Sequence, residues 1–499
     1  MWRVIKRLFV ILPALILEFL TLYILWKWLS QWAALIEGLL RILGVVFVVF
    51  LVSARTEETY KVFWILFIMA VPLAGTMTYL LYGDKRTSRP IARKIQDSAK
   101  RINMPKDKHM ELYKEMEKED LRLAKTAEYI SKQTRFPIEV NEDATYYPLG
   151  ELMWKDMLEE MKKAEKYIYL EYFIIHDGEM WRAMRDIMEE KVKEGVDVRL
   201  IYDDFGSLTT FSDTDTNYLT KIGVKWICFN ELKFISGTLN NRSHRKILII
   251  DGKTAFSGGI NLADEYINKI DIYGHWKDIG FRIKGRAVGN YVYMFMEFWN
   301  AYHKDRIDVE VLKEVPARSG KQDGLVLSYY DAPFNTDPIS NNFFIEMLGN
   351  ATNYAWFYTP YLILGDALMD AFERAAKRGV DIRIIMPGIP DKKIIFRLSR
   401  SYYKPLLDAG VKIYEYIPGF VHAKAAIFDD KVCSIGSVNL DYRSLFLHFE
   451  NYSVFWNSSI LEDLKKDFLN TQSECREVYS SEIKGYLLDS ILRIFAPLC

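Results

Sequence analysis

Two stretches of the chain carry the same pattern of polar and apolar residues. Residues 243–251 read SHRKILIID, and residues 421–429 read VHAKAAIFD. Each stretch has a histidine, a lysine two residues later, an apolar run of four residues and a closing aspartate. The two histidines, His244 and His422, lie 178 residues apart. The full pattern in both copies is H-x-K-x4-D-x6-G-[GS]-x-N, so the chain contains a duplicated unit.

Further repeats upstream of each stretch support the duplication. Residues 194–201 read EGVDVRLI and match residues 378–385, RGVDIRII, and a Gly-Val-Lys step occurs at 223–225 and again at 410–412. Each repeat joins an amphipathic helical segment to a β-branched run, which predicts alternating helices and buried strands. We therefore expect an α/β protein with two repeated α/β domains, each a mixed sheet flanked by helices. A period near 180 residues is too long for a solenoid.

The same pattern suggests domain boundaries along the 499 residues. We expect a membrane region of two or three helices at 1–84, a charged and solvated helical linker at 85–135, a first repeated domain at 136–315 and a second at 316–499. Residues 62–82 contain no charged side chain and are long enough to form a membrane-spanning helix. Two further apolar runs, at 33–54 and 8–26, leave the number of spans open.

Lysines and arginines outnumber acidic residues between positions 84 and 101, next to the predicted span. Because positive charge is retained on the cytoplasmic side, we expect a multi-pass protein of the cell membrane whose large C-terminal part faces the cytoplasm.

Composition excludes several classes of function. Lys plus Arg and Asp plus Glu both number 66, so the chain is not a globally basic nucleic-acid binder. Its four cysteines show no CxxC spacing, which argues against a zinc site or a disulfide framework. Neither a phosphate-binding P-loop nor a GxGxxG nucleotide fingerprint is present.

The repeated polar set has a chemical meaning. On a strand, residues two apart project from the same face, so each histidine shares a face with its lysine. If the copies pack face to face, two imidazoles, two ammonium groups and two asparagine amides surround one pocket. Such a pocket suits an anion with several oxygens, above all phosphate. One imidazole can then attack phosphorus while the other protonates the leaving oxygen. Adjacent lysines disfavour a bound cation, so we expect no metal and no other cofactor.

These motifs resemble the phospholipase D superfamily, whose signature is a pair of H-x-K-x4-D motifs. More narrowly, the chain is similar to bacterial cardiolipin synthases. The narrower resemblance rests on the apolar N-terminal runs and on short segments at 72–83, 171–175, 359–361 and 493–498. One departure is Gly259, where serine is commoner; Ser437 keeps the hydroxyl in the second copy, so we expect Gly259 to tune the site without abolishing it.

The resemblance implies a metal-independent reaction in two steps. His244 displaces glycerol from one phosphatidylglycerol, and the hydroxyl of a second phosphatidylglycerol attacks the resulting phosphatidyl-histidine to give cardiolipin. His422 acts first as general acid and then as general base, although the symmetry of the two copies leaves the order of the histidines open. The implied partners are phosphatidylglycerol and anionic membrane lipid, with no nucleic acid; a homo-oligomer is left open.

The predicted site follows from the motifs. The catalytic set comprises His244, Lys246, Asp251, His422, Lys424 and Asp429, and within it we expect the two aspartates to anchor their strand ends. We expect Asn261, Asn439, Ser437 and Gly259 to bind substrate, and Glu265 and Glu450 to orient the histidines.

Three other functions are weighed against this one. The alternative enzyme is a membrane-bound phospholipase D that hydrolyses or transphosphatidylates other phospholipids through the same intermediate. A superfamily nuclease is disfavoured by the zero net charge, and a lipid-binding scaffold would not need two intact motifs.

Overall fold

The computed structural model describes residues 11–28, 30–54, 56–83, 89–102, 109–231, 240–484 and 487–498. The strands are β1 Glu139–Val140, β2 Asp143–Tyr147, β3 Tyr167–Tyr172, β4 Asp197–Asp203, β5 Lys225–Phe229, β6 Ile247–Ile250, β7 Thr254–Gly258, β8 His275–Lys277, β9 Gly280–Lys284, β10 Leu325–Asp331, β11 Tyr354–Tyr358, β12 Asp381–Pro387, β13 Lys412–Tyr416, β14 Gly419–Val421, β15 Ala425–Phe428, β16 Val432–Gly436, β17 Glu450–Trp456 and β18 Cys475–Val478.

The α-helices are α1 Ile11–Trp28, α2 Ser30–Ser53, α3 Glu58–Ala70, α4 Pro72–Thr78, α5 Arg89–Ile102, α6 Met110–Glu119, α7 Leu121–Thr134, α8 Gly150–Lys162, α9 Glu179–Lys193, α10 Asp213–Lys221, α11 Val288–Tyr302, α12 Ile339–Asn350, α13 Asp366–Lys377, α14 Lys393–Ser401, α15 Tyr403–Ala409, α16 Tyr442–Phe446, α17 Ile460–Ser473 and α18 Leu487–Ile494. A π-helical turn at Tyr79–Gly83 follows α4.

Two large mixed sheets repeat one strand order. The first runs β2-β9-β7-β6-β3-β4-β5, and the second runs β1-β10-β17-β16-β15-β11-β12-β13-β18. Without its edge strands β1 and β18, the second sheet matches the first position by position. The predicted α/β fold with two repeated domains and mixed sheets is therefore confirmed.

The repeated Gly-Val-Asp segment explains the parallel part of each sheet. Gly195 ends the turn after α9 with φ of 91°, and Gly379 does the same after α13 with φ of 92°. A positive φ at this position costs glycine little, so the helix stops and the chain enters β4 or β12 at once. β3 and β4 are parallel, as are β11 and β12, which is the geometry of a strand-helix-strand unit.

The two halves are joined by backbone hydrogen bonds as well as by side chains. β8 from the first half pairs in parallel with β14 from the second, with His275 opposite Gly419 and Lys277 opposite Val421. β1 lies before the first sheet in sequence but pairs with β10 at the edge of the second. These exchanges hold the two sheets in a fixed relation, with the motif histidines at their junction.

The N-terminal region corrects one prediction. Among the described residues, one helical segment, Ala34–Ser53 within α2, is long and apolar enough to cross a membrane. The predicted span at 62–82 is instead broken: α3 ends at Ala70 and α4 starts at Pro72. A helix of 13 residues is about 20 Å long, short of the roughly 30 Å hydrocarbon core. The break occurs because proline lacks the amide hydrogen and disfavours helical geometry at Val71.

The short helix α3 packs against the second half of the molecule. The ring of Tyr60 stacks on Tyr442 with centroids 5.8 Å apart, and Phe63 lies 5.6 Å from Phe495. The apolar side chains of α3 therefore form a contact with the second half of the protein, which explains why the segment is apolar without being one continuous span. The third predicted run falls in α1, apart from residues 8–10, which lie outside the described residues.

The segment at 85–135, predicted as a solvated helical linker, is helical as expected but is packed against the core. Its three helices, α5 to α7, are amphipathic, and each buries one face in the core. Ile95 of α5 and Ile130 of α7 are fully buried, and Tyr113 of α6 is nearly so. The charged residues of this segment thus form the outer face of packed helices.

Candidate active site

The two motif segments lie where the halves meet. His244 and Lys246 immediately precede β6, and His422 and Lys424 immediately precede β15. The backbone amide of His244 donates to the carbonyl of Phe449 in the second half, at 2.9 Å. Conversely, the amide of His422 donates to the carbonyl of Lys277 in the first half, at 2.7 Å. Each motif is therefore positioned by the other half.

The side chains repeat this exchange. Nδ1 of His244 lies 2.9 Å from a carboxylate oxygen of Glu450, and Nδ1 of His422 lies 2.6 Å from Oδ2 of Asp278. Both acids are fully buried, and both histidines are 7% exposed. A carboxylate at Nδ1 fixes the ring and leaves Nε2 for chemistry. Each histidine is thus oriented by an acid of the opposite half.

The two lysines belong to the same charged pocket. Nζ of Lys246 donates to the carbonyl oxygen of His244 at 2.5 Å, and Nζ of Lys424 donates to that of His422. Burial lowers the pKa of Lys246 well below its usual value and that of Lys424 to about 8. Two buried ammonium groups form the cationic part of a site that suits a phosphate.

The histidines respond to both lysines. Burial lowers the pKa of His244 well below 6.5, and the charges of Lys246 and Lys424 lower it further. Burial likewise lowers the pKa of His422, again with contributions from Lys424 and Lys246. Because each imidazole is affected by the lysine of the other half, the four side chains form one electrostatic site.

The two orienting acids differ in their surroundings. Glu450 accepts hydrogen bonds from the hydroxyls of Ser437 and Ser444, both at 2.5 Å. Asp278 accepts the amide of Ile279 at 2.8 Å, and burial raises its pKa to about 7. Burial disfavours the charged form of a carboxyl group, which is why the pKa of Asp278 is raised. The two histidine–acid pairs therefore match in topology, whereas the acids differ in the hydrogen bonds that they accept.

The motif aspartates lie at the far ends of β6 and β15, away from this pocket. The carboxylate of Asp251 accepts the backbone amides of Glu165, Lys166 and Tyr167 at 2.8–2.9 Å. That of Asp429 accepts the amides of Thr352, Asn353 and Tyr354 at 2.7–2.8 Å. Their place in the catalytic set is corrected: they cap the chain entering β3 and β11, in agreement with the expected anchoring role.

The asparagines are committed to internal hydrogen bonds. Asn261 accepts the amide of Ile174 at 3.2 Å and donates to the hydroxyl of Tyr266 at 2.8 Å. Asn439 donates its side-chain amide to Asp441 at 2.9 Å. Each side-chain amide uses one of its two hydrogens in these bonds, so both residues shape the loops beside the histidines, and their assignment to substrate binding stays a prediction.

Gly259 and Ser437 occupy equivalent positions next to the orienting acids. A Cβ on Gly259 would lie 2.1 Å from Oδ1 of Asp278, which is too close for any side chain. Ser437 instead supplies a hydroxyl to Glu450. The backbone carbonyls of Ser437 and Gly259 contribute hydrogen bonds to the rings of His244 and His422, respectively. Both positions therefore serve the histidine–acid pairs.

One orienting residue predicted from sequence is wrong. Glu265, expected to orient one of the histidines, lies in a short 3-10 turn at Asp264–Ile267, whereas Asp278 and Glu450 are the acids at Nδ1 of His422 and His244. In the structure Asp278 is the counterpart of Glu450, because it lies two residues before Gly280 in β9 just as Glu450 lies two before Tyr452 in β17. This correspondence rests on the strand pairing and is not visible in the spacing of the sequence.

A third histidine, absent from the prediction, lies beside His244. The rings of His448 and His244 have centroids 5.8 Å apart, and Nδ1 of His448 is 3.8 Å from Glu450. The ligand atoms of His244, His448 and Glu450 lie within 4.8 Å of one another, a spacing that could hold a metal ion. The ammonium groups of Lys246 and Lys424 act on this same cluster and disfavour a cation there.

Comparisons with known proteins agree with the geometry. A family model described as "Cardiolipin synthase, PLD-like domain" matches residues 157–272 and 344–471, one match in each half. A second model, "Phospholipase_D-nuclease N-terminal", matches residues 39–83.

Curated relatives match along nearly the whole chain. An uncharacterised protein of Streptococcus mutans is 39% identical over 90% of this chain and 99% of its own length. A cardiolipin synthase of Alkalihalophilus pseudofirmus is 31% identical over 97% of both chains. The crystal structure of a phosphatidylserine synthase from Haemophilus influenzae superposes with a TM-score of 0.58 at 14% identity, covering 75% of this chain and 98% of that one, which supports the fold.

The matches in both halves and the full-length relatives point to a phospholipid-modifying enzyme of the phospholipase D superfamily. The chain belongs to the cardiolipin synthase family.

Proposed function

We propose that this enzyme makes cardiolipin by transferring a phosphatidyl group from one phosphatidylglycerol to another through a phosphatidyl-histidine. The observation that carries the proposal is the reciprocal pairing of His244 with Glu450 and His422 with Asp278. Two oriented imidazoles, each affected by the charges of both lysines, suit a phosphodiester that is attacked from one side and protonated on the other.

His244 is assigned as the nucleophile. Glu450, held by two serine hydroxyls, accepts a hydrogen bond from Nδ1 of His244, which leaves the lone pair of Nε2 free to attack phosphorus. The new bond joins Nε2 to phosphorus, and the bond from phosphorus to the headgroup glycerol oxygen breaks. His422 gives its proton to that oxygen, so glycerol leaves as a neutral alcohol.

His422 suits the acid role because its partner readily shares a proton. The pKa of Asp278 is near 7, and its bond to Nδ1 is 2.6 Å long. The pair can hold one proton near neutral pH and deliver it from Nε2. In the second step His422 takes the proton of the incoming phosphatidylglycerol hydroxyl. That oxygen then attacks phosphorus, and the bond to Nε2 of His244 breaks.

The lysines are assigned to the non-bridging phosphate oxygens. Their ammonium groups are buried beside the histidines, where a developing negative charge is stabilised more strongly than in water. We also propose that the catalytic halves, with boundaries near 136–315 and 316–499, face the cytoplasm from a multi-pass membrane region.

The proposal is tested with purified full-length enzyme in vesicles that contain phosphatidylglycerol labelled in its headgroup glycerol. One labelled glycerol released per cardiolipin formed supports the synthase. Phosphatidic acid as the sole lipid product identifies a phospholipase D and removes the proposal. His244→Ala serves as the matched inactive control.

A further inference from the structure

Five isoleucines are exposed near the junction of the two halves. They are Ile270, Ile272, Ile389, Ile394 and Ile417, and between 40% and 69% of each is exposed. Branched aliphatic side chains at this exposure leave apolar area in water. We call this set the isoleucine rim.

The rim is one surface although its members come from three segments. Ile389 donates its backbone amide to the carbonyl of Gly419 at 3.1 Å, two residues after Ile417. Gly274 lies close to Ile389, because a Cβ on Gly274 would be only 3.1 Å from Cδ1 of Ile389. The loop that carries Ile272 therefore contacts Ile389. The β8–β14 pairing therefore brings loops of both halves to one edge.

Aromatic rings connect the rim with the reacting histidine. Tyr273, next to Ile272 in the chain, lies 6.3 Å from Phe420 between ring centroids. Phe420 lies 4.8 Å from Trp276 and 6.0 Å from His422. Nε1 of Trp276 is buried and has no hydrogen-bond partner among the described residues. Phe420 and Trp276 are buried, so a row of packed aromatic rings lies between the rim and His422.

Both signs of charge lie beside the rim, with Asp271 exposed between Ile270 and Ile272 and a group of cations at the start of α14. Lys392 and Lys393 are exposed directly before Ile394, and Arg397 follows one turn later on α14. Asp391 accepts a hydrogen bond from the hydroxyl of Tyr361 at 2.5 Å, and its carboxylate lies 3.5 Å from Nζ of Lys392. Exposed isoleucines beside lysines fit a surface that is apolar below and anionic above, as a phospholipid bilayer is.

The rim is also connected to the apolar N-terminal region. Arg397 of α14 contacts Asp489 of α18 at 2.7 Å, and Phe495, just after α18, packs on Phe63 of α3. Ile491 and Phe495 are themselves partly exposed. The apolar surface therefore continues from the rim toward the segment that adjoins the membrane helix α2.

We propose that the isoleucine rim is a docking surface for an anionic phospholipid bilayer, and that the packed aromatic rings hold this surface beside His422. The docking stands on the geometry of the rim, whereas the supply of lipid to His422 rests on the proposed function.

The first test compares two forms of phosphatidylglycerol with the full-length double variant Ile394→Glu/Ile417→Glu. On long-chain phosphatidylglycerol in vesicles, we expect product formation to fall at least about tenfold, because two apolar anchors become charges that an anionic surface repels. On short-chain phosphatidylglycerol below its critical micelle concentration, the rate should stay unchanged, which also shows that the variant folds. The matched control is Leu121→Glu, an exposed leucine that begins α7 near Asp429, at the opposite end of β15 from His422. Full activity on vesicles, or an equal loss on both substrates, would overturn the docking surface.

The second test does not depend on turnover. Benzoylphenylalanine is introduced as Ile394→benzoylphenylalanine in one sample and Leu121→benzoylphenylalanine in another, and both are irradiated in vesicles that contain phosphatidylglycerol. Mass spectrometry should find lipid crosslinked at position 394 and not at 121. Absence of lipid at 394 would refute docking, whereas lipid at 394 in an enzyme that releases no glycerol would retain docking and refute the proposed function.

Discussion

At the scale of single residues, the two histidine–acid pairs differ in the residue that lies next to the acid. The first half has Gly259 beside Asp278, and the second has Ser437 beside Glu450. The aspartate reaches its histidine only because glycine leaves space for it, whereas the longer glutamate is held by the serine hydroxyl. The missing hydroxyl at Gly259 is therefore a steric requirement of the acid that orients His422.

Because of this difference, exchanging glycine and serine at the two positions should lower kcat by different amounts. Gly259→Ser should lower kcat by about 100-fold, as expected when a histidine loses its orienting carboxylate. Ser437→Gly removes one of several hydrogen bonds to Glu450 and should cost less than about tenfold. Steady-state rates of glycerol release measure both. Equal losses, or a silent Gly259→Ser, would contradict the steric argument.

His448 should govern part of the acid stability. Burial lowers its pKa to about 3 in the folded protein, while an unfolded histidine titrates near 6.5. As the pH falls below 6.5, the unfolded chain binds a proton that the folded chain does not, so the folded state loses stability. Relative to wild type, His448→Asn should gain about 2 kcal/mol between pH 7.5 and pH 5.

Urea unfolding of the detergent-solubilised enzyme at both pH values measures this difference. The variant His303→Asn, at a partly exposed histidine, controls for the loss of a histidine as such. A difference between wild type and His448→Asn that does not change with pH would show that His448 has the same pKa in the folded and unfolded states and would contradict this account.

At the scale of elements, the strand ends separate chemistry from anchoring. β6 and β15 begin beside the histidines and end at Asp251 and Asp429, whose backbones have φ near 50°. The sequence predicted the strands of both sheets because apolar runs and the Gly-Val-Asp turns before β4 and β12 are visible in short stretches of the chain. It did not predict the break at Pro72, because the apolar residues of α3 suit a protein interface as well as lipid.

The anchoring role of Asp251 predicts a loss of stability without a loss of chemistry. Asp251→Ala leaves three backbone amides, one buried and two partly buried, without this acceptor and places alanine at a positive φ. The free energy of unfolding should therefore fall by about 3 kcal/mol. The protein that remains folded should keep kcat within about threefold. Chemical unfolding and titrated active-site kinetics measure the two quantities.

Lys253→Ala, in the same turn but exposed, is the control and should change stability by less than about 0.5 kcal/mol. A large loss of kcat in Asp251→Ala protein that is still folded would show that this residue takes part in catalysis.

At the scale of the whole molecule, neither half holds a complete site. Each histidine takes its orienting acid and a backbone hydrogen bond from the other half, and β8 and β14 fix their separation. The histidines and lysines could be predicted from the repeat, because their spacing is visible in the chain. The acid at His422 could not be chosen correctly, because Asp278 acts across an interface that local patterns do not describe, and nothing in its spacing favoured it over Glu265.

The most direct test of the central claim is to trap the covalent intermediate. Enzyme is mixed with phosphatidylglycerol labelled at phosphorus, quenched in alkali within milliseconds, and digested for mass spectrometry. Wild type should carry a transient phosphatidyl group on His244, His422→Ala should form it more slowly and retain it, and His244→Ala should carry none. A phosphatidyl group on His422 in His244→Ala, or continued cardiolipin formation by either variant, would contradict the account.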